Sequence, residues 1–226
     1  MRTSDRSWIS TKNAACATAR RSAITRYSAV TEAACRLFIA LDPTPATIAV
    51  LERATAILHA RSWTGARWLP PDQWHATVRF LGATPARQVP QWVSALNQIR
   101  RIGQEAPPLS VDGIAIWPAP THPRVMVVTA RSARWADEIA AGAEALAREA
   151  GYRAEMRPFH PHVTLARLGS RAVSTDALAA VQHAAKELEG EPLRFDCLSL
   201  FVSRSPQEAG PTYERLATIK LSPGAR

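Results

Sequence analysis

The sequence predicts an α+β fold of two similar lobes with antiparallel sheets, related by a pseudo-two-fold axis, with helices outside and a cleft between the lobes. The order strand, helix, strand, motif strand, helix, strand occurs in both halves as a weak internal repeat. Two matching segments, Trp74–Gly82 and Phe159–Arg167, alternate in side-chain character as strands do. An apolar fraction of 46% is ordinary for a globular chain with a sizeable core.

The first half predicts three strands and two helices. Its first helix starts at Thr44 and Pro45, because proline suits the first helical turn. Gly82 ends the first motif strand, and Thr84 is predicted to cap the helix that follows. The predicted elements are strand Arg36–Leu41, helix Pro45–Ala60, strand Arg67–Leu69, strand Trp74–Gly82 and helix Pro85–Arg101.

The second half repeats this order and closes with an antiparallel pair. Ser132 and Ser174 are predicted helix caps, and Gly151 and Gly190 are predicted to end those helices. The predicted elements are strand Leu109–Ile116, strand Arg124–Ala130, a helix to Ala150, the second motif strand, a helix to Glu189, strand Pro192–Ser203 and strand Thr212–Leu221.

The two ends of the chain differ in composition. Residues 1–34 carry six basic and two acidic residues without a sustained period, which predicts a disordered basic extension. Residues 35–226 form the predicted bilobal domain. The net charge of +9 fits a polyanionic partner such as RNA. The three scattered cysteines include no Cys-x-x-Cys pair and indicate the cytoplasm, and no apolar run approaches the length of a membrane span.

Each motif segment contains a His-x-Thr-x tetrapeptide. By strand alternation His75 and Thr77 share one face of the first segment, and His162 and Thr164 share one face of the second. An imidazole exchanges protons near neutral pH, and a hydroxyl can donate to a phosphate oxygen. The two segments therefore predict two halves of one site for a phosphate ester, with an acid and a base.

These tetrapeptides resemble those of the 2H phosphoesterases, and within them the bacterial and archaeal RNA 2′,3′-cyclic phosphodiesterases, once called 2′-5′ RNA ligases. The resemblance covers roughly Arg36 to Leu221 and extends to four flanking segments, Arg36–Asp42, Gly65–Pro71, Leu200–Ser203 and Tyr213–Leu216. It implies metal-independent hydrolysis of RNA 2′,3′-cyclic phosphate ends to 2′-phosphates, with reversible 2′-5′ ligation as a further activity. The expected substrates are such RNA ends or small cyclic nucleotides. We expect no cofactor, and we expect the protein to be a monomer.

The resemblance also implies roles for the four motif residues. His75 is expected to protonate the 3′ oxygen and His162 to take a proton from water, although the residues alone leave this order open. Thr77 and Thr164 are expected to donate to the phosphate oxygens and stabilise the charge that builds in the transition state.

Four neighbouring residues are placed by alternation alone. Arg79 falls on the His75 face and is a candidate substrate contact, as is His160, which shares a face with His162. Phe80 falls on the opposite face and is predicted to be core. Arg167 alternates away from His162 and is predicted to form a structural ion pair.

Two other classes of function stay open. A zinc hydrolase could use His75, His160 and His162, but it leaves the threonine pair unexplained and neither motif has a carboxylate to orient a ligand. A non-catalytic RNA or nucleotide binder would have no need of an acid–base pair. Sensitivity to a chelator separates the first alternative from the phosphodiesterase, and turnover separates the second.

Overall fold

The computed structural model describes residues 34–61, 63–102, 106–204 and 212–222. The predicted basic extension, residues 1–34, lies outside the described residues except for Ala34, which opens the first strand. Within the described ranges, no helix is long and apolar enough to cross a membrane.

The described strands form one sheet. In chain order they are β1 (Ala34–Pro43), β2 (Arg67–Trp68), β3 (Ala76–Pro85), β4 (Leu109–Ala119), β5 (His122–Arg131), β6 (His162–Arg167), β7 (Pro192–Leu193), β8 (Phe195–Arg204) and β9 (Thr212–Lys220). Across the sheet the order is β7-β4-β5-β6-β3-β1-β8-β9, with β2 paired to β6. Every pairing in this described sheet is antiparallel.

The sheet has two halves that meet at the two motif strands. β3, β1, β8 and β9 form one half, and β6, β5, β4, β7 and β2 form the other. In the described part of the chain, one residue pair joins β3 to β6, namely Ala76 with Val163. We call this pairing the seam. The predicted α+β fold with antiparallel sheets is confirmed, and its two sheets are continuous through the seam.

Four described α-helices pack on the sheet: α1 (Pro45–His59), α2 (Val89–Ile102), α3 (Arg134–Glu149) and α4 (Thr175–Leu188). α1 and α4 pack against each other and against the β4 and β7 side, whereas α2 and α3 pack together against the half that contains β3. The helix start predicted at Thr44 and the cap predicted at Ser174 are confirmed, because each hydroxyl accepts a hydrogen bond from the backbone N–H three residues on.

The caps predicted at Thr84 and Ser132 are wrong. β3 continues to Pro85, so Thr84 lies within the strand and its buried hydroxyl donates to the Gly82 carbonyl. The backbone cap of α3 is Ala133, and the Ser132 hydroxyl instead donates to the Asp137 carboxylate in the first turn. In both places a neighbouring polar group satisfies the hydroxyl that was assigned to the helix end.

β1 shows how the two faces of the sheet differ. Leu37, Ile39 and Leu41 point to the helix side and belong to the main hydrophobic core. Phe38 and Ala40 point to the opposite side, where they form a separate small cluster with Phe201 of β8. Because side chains alternate along a strand, this second face is the one on which the motif residues can meet a ligand.

Candidate active site

His75 and His162 lie diagonally across the seam, because the antiparallel pairing of Ala76 with Val163 sets His75 opposite Thr164 and His162 opposite Thr77. His75 directly precedes Ala76, and His162 directly precedes Val163, and these two residues form the pair that joins β3 to β6. Their proximity has an electrostatic effect, since the His162 charge lowers the pKa of His75. The structure therefore brings the two distant motifs into one place.

Both imidazole rings are oriented by a hydrogen bond to the backbone carbonyl two residues earlier. The Nδ1 atom of His75 lies 2.8 Å from the Gln73 carbonyl oxygen, and the Nδ1 atom of His162 lies 2.7 Å from the His160 carbonyl oxygen. A carbonyl can only accept, so a neutral ring carries its proton on Nδ1 and keeps Nε2 free to accept one. His160 itself is exposed, and its described contact with His162 is made by its backbone carbonyl.

Burial lowers the pKa of both histidines, because it disfavours the charged ring. For His75 this lowers the pKa to about 4, against the opposing effects of the Gln73 carbonyl and the Asp42 carboxylate. For His162 burial again lowers the pKa, and the carbonyl of His160 opposes it. Both rings are therefore neutral at pH 7, and an anion placed between them would raise both pKa values.

Thr77 and Thr164 lie two residues beyond the histidines, and both are half-buried. Thr77 pairs with Ala40 of β1, and Thr164 pairs with Val127 of β5. Within the described residues, neither hydroxyl has a hydrogen-bond partner. Both are thus available to a ligand.

A β-bulge in β3 reverses the alternation beyond Thr77. Thr77 pairs with Ala40 and Arg79 pairs with Ile39, so the intervening Val78 has no partner in β1. The prediction that Arg79 lies on the His75 face as a candidate substrate contact is therefore wrong, because Arg79 is turned to the helix side and is 8% exposed. The prediction that Phe80 is core is wrong for the same reason, and Phe80 is 60% exposed.

A second bulge occupies the equivalent position in β6. Thr164 pairs with Val127 and Ala166 pairs with Met126, which leaves Leu165 unpaired with β5. Arg167 therefore returns to the His162 face. The predicted structural ion pair is wrong, because Arg167 lines the pocket that His75 lines and donates to the Tyr213 hydroxyl at 3.1 Å.

Arg79 instead connects the first motif strand to α3 and to the loop before the second motif through an ion pair and hydrogen bonds. Its Nε lies 2.6 Å from a carboxylate oxygen of Glu144, and its guanidinium donates to the carbonyls of Phe80 and Arg153. Glu144 also accepts from the backbone N–H of Glu155 in the same loop. This buried ion pair holds that loop against β3.

An aromatic floor lies beside His75, formed by Phe38, Phe201 and Tyr213. Phe38 and Phe201 are stacked with centroids 5.1 Å apart, and the edge of Tyr213 meets Phe38 at 5.3 Å. The His75 ring packs on this floor, 4.9 Å from Phe38 and 5.0 Å from Tyr213. Such a surface suits a base or a sugar, because every base has an apolar face that can stack.

The floor is part of an open pocket of about 460 Å³. A volume of this order is within the range of small-molecule sites. It is lined by Arg36, Leu37, Phe38, His75, Phe80, Gly82, Arg167, Ser203 and Tyr213. The lining combines aromatic residues with two guanidinium groups, which fits a nucleotide.

Sequence reasoning missed a buried polar network beside the floor. Asp42 is 8% exposed, and its carboxylate accepts from the Ser199 hydroxyl and, at 2.6 Å, from Arg215. The Arg215 guanidinium in turn lies over the Phe201 ring, 5.2 Å from its centroid. The only sequence signal was an acidic residue at the end of an otherwise apolar strand, since Arg215 is far away in the chain.

The ligand set of the zinc alternative does not assemble. Among the described residues, no group of three or more His, Cys, Asp and Glu side chains is placed to hold a metal ion. His75, His160 and His162 thus do not form a common coordination site.

Comparison with known proteins agrees with this geometry. The sequence profile of the family described as LigT-like phosphoesterase matches residues 41–127 and again residues 128–212. The chain is 33% identical over 139 residues to an RNA 2′,3′-cyclic phosphodiesterase of Thermus thermophilus, a match that covers 58% of this chain and 68% of the relative. It is 27% identical over 159 residues to a protein of the same name from Bacillus subtilis, covering 69% and 81%.

A solved structure extends the similarity to the fold. E. coli LigT, crystallised with 3′-AMP, superposes with a TM-score of 0.60 and 25% identity over 83% of this chain and 98% of that chain.

The low pKa of His75 predicts a loss of stability in mild acid. The unfolded ring has a pKa near its ordinary value and the folded ring one of about 4, so the unfolded state binds more protons between these values. The contribution of the neutral His75 ring to the unfolding free energy is complete above the pKa of the unfolded state. It is lost as the pH falls toward the pKa of the folded state. We expect the wild type to lose about 2 kcal/mol of unfolding free energy between pH 7.5 and pH 5 from this group.

Urea unfolding at the two pH values measures this loss, with His75→Gln as the variant that cannot titrate. The variant should lose less stability over the same interval. An equal loss in both proteins would contradict the buried neutral state of His75.

The Arg79–Glu144 contact predicts a structural phenotype for Arg79. Removing the guanidinium in Arg79→Met leaves a largely buried carboxylate unpaired, which should cost about 3 kcal/mol of unfolding free energy. Replacing both partners, in Arg79→Met with Glu144→Leu, should recover part of this loss. Urea unfolding of the two single variants and the double variant measures the coupling. Additive losses would show that the two side chains do not act as a pair.

Proposed function

Because the chain belongs to the LigT-like phosphoesterase family, we propose that it hydrolyses the 2′,3′-cyclic phosphate at RNA ends and leaves a 2′-phosphate. One observation carries the proposal. Two imidazoles flank the seam diagonally, and each is oriented by a carbonyl on Nδ1 so that Nε2 is free for proton transfer. A relative of the same family, at 33% identity, bears the name of this activity.

The reaction needs one proton acceptor and one proton donor. Nε2 of neutral His162 takes a proton from water as the water oxygen attacks phosphorus, and the bond from phosphorus to O3′ breaks. Protonated His75 gives its proton to O3′, so the products are a 2′-phosphate and a 3′-hydroxyl. Exchange with solvent then removes the proton from His162 and restores the one on His75.

We assign His75 as the donor because the resemblance to the phosphodiesterases implies this order. Burial, the His162 ring and the Arg167 guanidinium lower the pKa of the free His75 ring, and the Gln73 carbonyl and the Asp42 carboxylate oppose them. The cyclic phosphate carries a negative charge and would raise the pKa of His75 further on binding. Substrate binding thus prepares the charged form that the donor needs.

Three side chains can stabilise the charge on phosphorus. The hydroxyls of Thr77 and Thr164 lack partners in the described structure, and Arg167 lines the pocket that His75 lines. Donors fixed before the reaction stabilise the developing charge of the pentacoordinate transition state without reorganisation. Arg167 is thus added to the phosphate-binding residues that the motifs predicted.

The same step accounts for ligation as a second activity. If the 5′-hydroxyl of another RNA end takes the place of water, attack on phosphorus with loss of O3′ gives a 2′-5′ linkage. No other group is required, because the 5′-hydroxyl loses its proton to the same base.

The two histidines predict matched losses of activity. His75→Ala and His162→Ala should each reduce turnover of an RNA ending in a 2′,3′-cyclic phosphate by a factor on the order of 10²–10⁴, the usual effect of a positioned acid or base. The double variant should lose much less than the product of the two factors, because the groups act in one step. Single-turnover kinetics, with the position of the product phosphate identified, measures both.

Thr55→Ala serves as a control, because the Thr55 hydroxyl belongs to α1, where it donates to the Leu51 carbonyl. Near-normal turnover in both histidine variants would contradict the mechanism. A bound but unreacted substrate in the wild type would support a non-catalytic binder.

The mechanism has no step that requires a metal ion, so we expect turnover to be unchanged after treatment with a strong chelator. Turnover before and after chelation, at constant ionic strength, provides the measurement. Loss of activity on chelation with recovery on addition of zinc would favour the hydrolase alternative.

A further inference from the structure

The pocket continues beyond the residues that the reaction uses. Its far end is lined by Arg36 and Ser203, neither of which belongs to a motif, and by Gly82, which presents no side chain there. The aromatic floor lies between this end and the histidines. A ligand that occupied only the catalytic end would leave these residues without a role.

The strand register fixes where this end lies. Arg36 of β1 is directly opposite Ser203 of β8, and Ser203 is opposite Tyr213 of β9. Arg36 precedes Ala40, which is opposite Thr77, by four residues, and four residues of strand span about 13 Å. The floor residue Phe38 lies midway, so a nucleoside on the floor would extend from Arg36 toward the motif residues.

Two arginines that line the pocket have no described ion pair. Within the described ranges, Arg36 has no carboxylate at ion-pair distance, and neither does Arg167. Two other arginines nearby are neutralised, Arg204 by Glu214 at 3.0 Å and Arg215 by Asp42 at 2.6 Å. The pocket thus presents Arg36 at its far end without a described carboxylate partner, while the Arg167 guanidinium contacts the floor at Tyr213.

We propose that Arg36 and Ser203 form a second phosphate subsite, which binds the phosphate on the 5′ side of the terminal nucleotide. A guanidinium beside a hydroxyl is suited to phosphate, because both donate to its oxygens. The long arginine stem can fold back along the strand, which brings the two cations closer to the spacing of consecutive phosphates. The inference rests on the proposed function, and it names the preferred substrate as the end of an RNA chain rather than an isolated cyclic nucleotide.

The test compares adenosine 2′,3′-cyclic phosphate with the same compound carrying a 5′-phosphate. The wild type should have a kcat/KM roughly 10- to 100-fold higher for the 5′-phosphorylated compound, which is the effect of a charge-assisted hydrogen bond. In Arg36→Gln this ratio should fall close to one, and in Arg36→Lys it should be intermediate. The preference of the wild type should shrink as salt is added.

Arg204→Gln is the matched control, because it removes the same charge one residue beyond Ser203 from an arginine that Glu214 already neutralises. It should keep the wild-type ratio. Thermal unfolding of each variant, together with Ser203→Ala as a second, smaller change at the subsite, separates a local effect from a loss of fold.

The outcomes distinguish this inference from the proposed function. Turnover of both compounds by the wild type at equal kcat/KM would overturn the subsite alone. The subsite would also be overturned if Arg36→Gln kept the wild-type preference for the 5′-phosphorylated compound. The same holds if Arg204→Gln lost that preference as much as Arg36→Gln did. A change in preference among bases, without a change in the phosphate ratio, would show that Arg36 reads a base edge instead. No turnover of either compound would overturn both proposals.

Discussion

The site depends on the pairing of Ala76 with Val163. This contact joins the two halves of the sheet, and each of the two residues directly follows a histidine. Because strands in a sheet are less than 5 Å apart, the pairing places His75 and His162 on neighbouring strands without any loop to position them. The carbonyls of Gln73 and His160 then orient the two rings. Both imidazoles are thus oriented by backbone carbonyls and not by other side chains.

The two β-bulges decide which residues share the cleft with the histidines. An extra residue at Val78 turns Arg79 into the helix layer and Phe80 into the cleft, and an extra residue at Leu165 turns Arg167 into the cleft. Phe80 and Arg167 thus occupy equivalent positions in the two motifs. One supplies an apolar surface and the other a cation, so the symmetric framework carries an asymmetric site. This asymmetry suits a nucleotide, which is apolar at its base and anionic at its phosphate.

The sequence was sufficient for the features that depend on local pattern. Alternation and caps predicted the strands and the helices that begin at Thr44 and Ser174, and the repeated tetrapeptides predicted that His75 and His162 belong together. Alternation failed beyond Thr77 and Thr164, because one unpaired residue inverts the side chains that follow it until the next register shift and leaves no mark in composition. Asp42 was missed for another reason. Its partners Ser199 and Arg215 come from the end of the chain, and such distant pairings follow only from the sheet order.

The position of β1 between β3 and β8 constrains how the protein acquires activity during synthesis. Phe38 stacks on Phe201, and Asp42 binds Ser199 and Arg215, so the first described strand is completed by the last two. A nascent chain that has already left the ribosome with both histidine motifs still lacks half of the floor and the partners of a buried carboxylate. Contacts between such distant segments also form slowly. The site is therefore complete only once β8 and β9 have been made and have paired, and until then the edge of β1 that β8 covers is open to self-association.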